Sequence, residues 1–232
     1  MINVICLKHG SKYGVEYVNI LYNMISRHLT LPYRFVCFTD NPKNLNEKID
    51  IRILPRIDNI QGWWWKPYIF RKGNFDHKDI NLFFDLDMVI INNINHFIDY
   101  KPGKFVGLED VGRVWGNRPP KLGSAVLRWQ GDEYHKIWEG IELDPTTTRR
   151  FHGDQDYIWS ICRYEIEFFP SDWIKSYKWE VRSQSELVRH SGGFTFKNIS
   201  NPVVSESTSV LAFHGTPNPH EVQDPIIVDN WR

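Results

Sequence analysis

Apolar residues in this chain fall in short runs separated by polar stretches rich in glycine, proline and asparagine. Residues 2–7, INVICL, make a run of strand length, and the polar KHGSKYG follows at once. Tyr17, Ile20, Leu21, Met24, Ile25 and His28 then recur at helical spacing, which predicts an amphipathic helix over 15–29. YRFVCFTD (33–40) reads as a second buried strand and IDIRIL (49–54) as a third. GWWWKPYIFRKGNF predicts a helix after Pro67 that packs Ile69 and Phe70 on a sheet. INLFFD (80–85), KFVGLED (104–110) and GSAVLRW (123–129) follow as strands. DEYHKIWEGI (132–141) and DQDYIWSICRY (154–164) read as helices, and IEFFP (166–170) and SVLAFHG (209–215) as strands. Such alternation predicts an α/β fold in one domain, with a mostly parallel central sheet and helices on both faces.

In open α/β sheets, ligands bind beyond the carboxyl ends of the strands. The polar clusters fall there: His9 to Tyr13, Thr39 and Asp40, Asp85 and Asp87, Glu109 and Asp110, and His214 onward. HGTPNPHEVQDP (214–225) reads as a loop that folds back on the body.

Composition narrows the function classes. Lys plus Arg (28) balance Asp plus Glu (28) over 232 residues, so no overall field draws the protein to nucleic acid or to an acidic membrane. Cys6, Cys37 and Cys162 are an odd number in apolar stretches with no zinc-like spacing, which predicts reduced core thiols. The start lacks a basic region followed by a long apolar one, and no apolar run is long enough for a transmembrane segment, so a soluble, cytoplasmic protein is expected. Aromatic residues reach 15%, with ten tryptophans, more than ordinary packing requires. Flat rings that stack on sugars or bases would use the surplus.

The run FFDLDMV carries the sharpest chemical signal. Sixteen aspartates in a chain of this length give about one D-x-D by chance, so context must carry the reading. Asp85 and Asp87 follow a buried-strand run, and an extended backbone would set their side chains on one face about 6.6 Å apart. Without a cation, two such carboxylates repel and one takes up a proton. A divalent ion relieves that cost, and Mg2+ or Mn2+ binds through one or two carboxylates together with substrate phosphates.

The order of motifs, namely the first strand with its polar loop, FTD, WWWK, FFDLD, LGSAVL, GDQDYIW and FHGTPNPHEV, resembles glycosyltransferases of the GT-A fold. It is nearest in pattern to family 8, the retaining galactosyl- and glucosyltransferases. The likeness runs along most of the chain. It implies a nucleotide-sugar-binding half over 1–110, and an acceptor-side half with a closing loop over 111–232. It implies Asp85 and Asp87 as ligands of Mn2+ or Mg2+, with Leu86 near the ribose. His9, Gly10 and Tyr13 would lie along the nucleotide, Thr39 or Asp40 at the base, and Lys66 near the diphosphate or donor sugar. Asp154 and Gln155 would face the sugar and reacting centre.

Bottom-up, Asp154 also suits a helix N-cap and Asp156 a favourable first-turn charge. The tail departs from the family, whose pattern is His, two residues, Gly, two residues, Lys-Pro-Trp. Aligned on Gly215, Asn218 stands where Lys belongs, His220 replaces Trp, and Ala212 falls at the metal histidine. A two-residue shift on a strand keeps a side chain on the same face, so His214 is favoured as third metal ligand and His220 is the fallback. The diphosphate charge would then be met by Lys8, Lys12, Arg189 or Lys66.

The expected reaction moves a sugar from a nucleoside-diphosphate sugar, a UDP-sugar first, to a glycan or other hydroxyl acceptor with retention. Glu109 or Asp110 could serve an inverting enzyme, and the WWW run and Trp115 could stack on ligand rings. Two rivals stand beside this reading. A haloacid-dehalogenase-type phosphatase would use Asp85 as nucleophile, although its motif normally opens its fold. A non-catalytic sugar- or nucleotide-binding module would use the aromatic cleft.

Overall fold

The computed structural model describes residues 1–112, 119–182, 186–190, 193–197 and 204–232, the two short segments 186–190 and 193–197 by their backbone alone. Seven strands form the main sheet: β1 (Ile2–Lys8), β2 (Arg34–Thr39), β3 (Asp50–Ile53), β4 (Ile80–Phe84), β6 (Phe105–Glu109), β7 (Leu122–Gln130) and β8 (Ile166–Phe168). Their order is β3-β2-β1-β4-β7-β6-β8. The left half, β3 to β4, is parallel, β7 runs antiparallel between β4 and β6, and β8 is parallel to β6.

Strand side chains alternate between two cores, as the pleat requires. Val4, Cys6, Leu82, Phe84 and Val126 face one core with helix α1 (Val15–His28); Ile5, Phe83, Leu127 and Trp129 face the other. A 3-10 helix (Gly62–Phe70), α3 (Lys136–Leu143) and α4 (Asp154–Cys162) cover that second face. Burial on both faces explains why the central strands read as continuous apolar runs. The three cysteines are buried free thiols. No helix among the described residues is long and apolar enough to cross a membrane.

Two local readings need correction, and one pair of strands was not foreseen. The helix expected after Pro67 is a 3-10 helix that begins five residues earlier and carries Pro67 inside it. SVLAFHG is not a strand of the main sheet. Its middle, β12 (Val210–Ala212), forms a separate three-stranded sheet between β5 (Met88–Ile90) and β9 (Ile174–Ser176). A two-stranded antiparallel pair, β10 (Glu186–His190) with β11 (Gly193–Lys197), was also not foreseen. Short helices α2 (Asn95–Asp99) and α5 (Pro225–Val228) complete the described elements.

The second sheet matters for the site. β4 ends at Phe84 and β5 starts at Met88, so Asp85-Leu86-Asp87 is the turn by which the chain steps between the two sheets. The Asp85 amide donates to the Ala125 carbonyl of β7 at 2.8 Å, and the Phe213 amide beyond β12 donates to the Asp87 carbonyl at 3.3 Å. One aspartate is thus tied to each sheet. The extended pleat expected across Asp85–Asp87 is replaced by this turn.

Candidate active site

Beyond the carboxyl ends of β1 and β4 lie two adjoining cavities of about 420 and 370 Å3. They share Lys12, Trp63, Asp85, Asp87, Ser124 and Gln155, so they are two sides of one cleft with both aspartates on its floor. The side toward β1 adds Lys8, His9, Tyr13, Lys66, Leu86 and Asp154. The other side adds Asp110, Gly112, Trp179 and His214.

Lys66 is the electrostatic hub. Its helix faces the second core through Trp65 and Ile69, and that packing drives the ammonium beneath the cleft, where the residue is 5% exposed. The ammonium lies 2.9 Å from Asp85 Oδ1 and 3.3 Å from Asp154 Oδ2, and donates to the carbonyl and hydroxyl of Ser124. It also sits 5.1 Å from the Phe83 ring centre. Ser124 in turn donates to Asp154 at 2.7 Å. A buried cation held by two carboxylates and two serine oxygens is fully partnered, which such burial demands.

Asp85 is pushed up to about 7, by burial first, with Lys66 pulling it back and Asp87 and Asp154 adding to the push. Asp87 is also raised by burial, while the hydrogen bond from the Tyr13 hydroxyl at 2.8 Å and the charge of Lys12 oppose the shift. Burial and Asp87 together raise the Tyr13 phenol, so it stays a donor.

His214 lines the far side of the cleft. Its Nε2 lies 2.6 Å from the Ser176 hydroxyl, and its ring meets Trp179 edge-on. Burial and Lys178 lower it to about 4, so the imidazole is neutral at physiological pH. His220 is elsewhere: Nδ1 meets the Tyr17 hydroxyl and the ring packs near Trp231, a staple between α1 and the C-terminal segment. Of the two candidate histidines, His214 alone lines the cavities that hold the aspartates.

The remaining candidates divide. Gln155 lines both sides of the cleft, and Asp154 only the β1 side. Asp154 is not an N-cap; Gly153 holds that position, and the Asp154 carboxylate is spent on Ser124 and Lys66. Asp156 pairs with Lys121. Gly10 turns the chain with φ +67°, a region that favours glycine, and its amide donates to Asp40 at 3.1 Å. His9 and Asp40 border a third cavity of about 480 Å3 beside Trp65. Thr39 is fully buried, its hydroxyl engaged with the backbone of Asn41, so of the pair Thr39 and Asp40 only Asp40 borders a cavity. Trp115 and the side chain of Arg189 lie outside the described residues.

Sequence reasoning missed Ser124, Ser176 and Trp179 as site residues; of the WWW run singled out for ring stacking, Trp63 lines both sides of the cleft. Ser124 sits in the quoted LGSAVL, where a serine between apolar neighbours at a strand start was the available signal.

The donor chemistry fits a divalent ion in part. Asp85 and Asp87 bring two carboxylates to one cleft floor, the charge of Asp87 adding to the proton affinity of Asp85, and Mg2+ or Mn2+ is held by as few as one or two carboxylates plus phosphate oxygens. A third protein ligand is not in place, since no group of three His, Cys, Asp or Glu among the described residues converges on one ion.

No protein-family profile matches the chain, and no curated protein matches by sequence. Solved structures do match by shape. A crystal structure of an active-site mutant of LgtC superposes with a TM-score of 0.65 at 11% identity, over 94% of this chain and 89% of the other. The galactosyltransferase LgtC with donor and acceptor sugar analogues gives 0.63 at 10%, over 94% and 88%. The chain has a GT-A glycosyltransferase fold. The glycosyltransferase GlyE of Streptococcus pneumoniae gives 0.56 at 10% identity, over 75% of this chain and 47% of GlyE.

Proposed function

We propose that this protein is a metal-dependent glycosyltransferase that moves a sugar from a nucleoside-diphosphate sugar, a UDP-sugar first, to the hydroxyl of a glycan or other acceptor, with retention. The observation that carries the reading is the pair Asp85 and Asp87 at the step between the two sheets, shared by both sides of one cleft. The GT-A likeness to a galactosyltransferase crystallised with donor and acceptor analogues supports it.

Asp85 and Asp87 would hold Mn2+ or Mg2+, which supplies Lewis-acid stabilisation of charge on a departing diphosphate. The β1 side of the cleft would take the donor: His9 and Tyr13, which line it, would lie along the nucleotide with Gly10, Leu86 would lie near the ribose, and Asp40, on the third cavity, near the base. The far side, with Asp110, Trp179 and neutral His214, takes the acceptor. His214 would join the two aspartates in holding the ion; its Nε2 is engaged with Ser176, so coordination through that nitrogen would require this contact to break.

Between the two sides stands Gln155, whose amide oxygen is suited to the positive charge that builds at the anomeric carbon. Asp154, pinned by Ser124 and Lys66, anchors the start of α4 and so positions Gln155. In retention, the anomeric bond to the diphosphate breaks, the acceptor oxygen bonds on the same face, and its proton passes to the departing phosphate oxygen. The phosphatase reading gains no support, since the structural neighbours are glycosyltransferases and Asp85 follows the fourth strand rather than opening the fold.

The test is a thermal-shift screen of UDP-, GDP-, CMP- and TDP-sugars with and without Mn2+, since ligand stabilisation follows affinity. A Mn2+-dependent rise with a nucleotide-sugar is expected, lost in both Asp85→Asn and Asp87→Asn while the folded state persists. A rise that both variants retain refutes the assignment.

A further inference from the structure

A diphosphate that leaves a sugar gathers negative charge, and a site that speeds this step needs cationic side chains aimed at it. The C-terminal segment 214–225, HGTPNPHEVQDP, contains no lysine or arginine. Asn218 is committed there: its amide and its side chain both donate to the Glu221 carboxylate, closing the turn at 219–221. The cation has to come from another part of the cleft.

Among the described residues three lysines line the donor side, and the side chain of Arg189 lies outside them. Lys66 is buried and spent on Asp85, Asp154 and Ser124. Lys8 is 8% exposed and donates back to the Gly10 carbonyl. Lys12 differs from both. It is exposed, it borders both sides of the cleft, and it makes no salt bridge among the described residues. Its ammonium rests 4.6 Å from the centre of the Tyr13 ring, and the hydroxyl of that ring donates to Asp87. An exposed ammonium resting on a half-buried ring is weakly held, and a charge-assisted bond to phosphate oxygen replaces that contact at a gain.

We infer that Lys12 grips the donor's diphosphate and meets its charge on departure, in place of a cation from the C-terminal segment. This rests on the nucleotide-sugar reading. The residue sits in the loop between β1 and α1, so its long side chain can follow the phosphates from the bound to the departing position without disturbing the sheet.

Calorimetric titration separates the two claims. UDP, GDP, ADP and uridine are titrated with Mn2+ into the parent protein, Lys12→Gln, Lys12→Arg and Lys78→Gln. Lys78 is exposed beyond the opposite end of β4 and serves as control. The parent is expected to bind at least one nucleoside diphosphate. Lys12→Gln should weaken that affinity by about tenfold to a hundredfold, the span of a hydrogen bond to a charged group, and leave uridine affinity within about twofold. Lys12→Arg should recover most of the loss, and Lys78→Gln should bind as the parent does. A Lys12→Gln protein that binds the diphosphate as tightly as the parent overturns the role of Lys12 and leaves the nucleotide-sugar reading standing. A parent that binds none of the three nucleotides overturns both.

Discussion

Replacing Lys66 with methionine keeps a long, unbranched side chain and removes the ammonium that lies within 3.3 Å of both Asp85 and Asp154. Removing one partner of a buried ion pair costs about 3–5 kcal/mol, because the other charge stays behind. The Asp85 side chain is 33% exposed to the cleft, so water screens part of that penalty and a loss near about 3 kcal/mol is expected. In a chain of this size that lowers Tm by about 6–12 °C.

The loss depends on pH in a defined sense. Asp85 stands at about 7 in the folded protein against 3.8 for an ordinary aspartate. Across that window the native state holds a proton that the unfolded chain has released, so the contribution of Asp85 to stability falls as pH rises. Without Lys66, which pulls Asp85 down, the native value climbs further, and the deficit of Lys66→Met grows between about pH 5.5 and about pH 8. His214, lowered to about 4, acts in the opposite sense by losing stability as pH falls below 6.5, but it is common to both proteins and drops out of their difference. Thermal unfolding of parent and variant at those two pH values, without divalent ions, is the assay. A variant as stable as the parent at the higher pH, or one hurt more at the lower, refutes the account of Lys66 as hub.

The two histidines should separate cleanly. His214→Ala should weaken Mn2+-dependent nucleotide binding with little effect on Tm, whereas His220→Ala should lower Tm by loosening α1 from the C-terminal segment and leave binding alone; the reverse ranking in a thermal-shift series would move the third ligand. Tyr13→Phe removes the donor to Asp87, so that carboxylate gains proton affinity and Mn2+ affinity at neutral pH should fall severalfold, recovering as pH rises. An unchanged pH profile of Mn2+ titration would show that the phenol does not tune Asp87.

The parallel half of the sheet was legible because strands buried on both faces read as continuous apolar runs, as VICL and FVCF do at the centres of β1 and β2. Helix α1 was legible from its stripe of Tyr17, Leu21, Met24 and Ile25, all buried. The second sheet was hidden because its strands are three residues each, too short for a period to appear, and their pairing joins Ile90 to Val210 across the chain. Asp85 and Asp87 could be singled out because charge following an apolar run is costly without a partner. Lys66 could be named only through the family resemblance, and nothing local predicted that it would be among the more buried side chains of the site. Arg128 shows the same limit: read as part of an ordinary strand, it is 1% exposed and donates to the carbonyls of Ile98, Lys101 and Lys104.

The step between the sheets also bears on when the site becomes complete during synthesis. β1 to β4 can pair as soon as they leave the ribosome, and domains tend to consolidate from the N-terminal side. β5 has no neighbour in its own sheet until β12, paired with it through Ile90 and Val210, has been made. Until then the carbonyl of Asp87 lacks the Phe213 amide that fixes it, so a nascent chain holding both aspartates would not yet hold them in the geometry proposed for the ion.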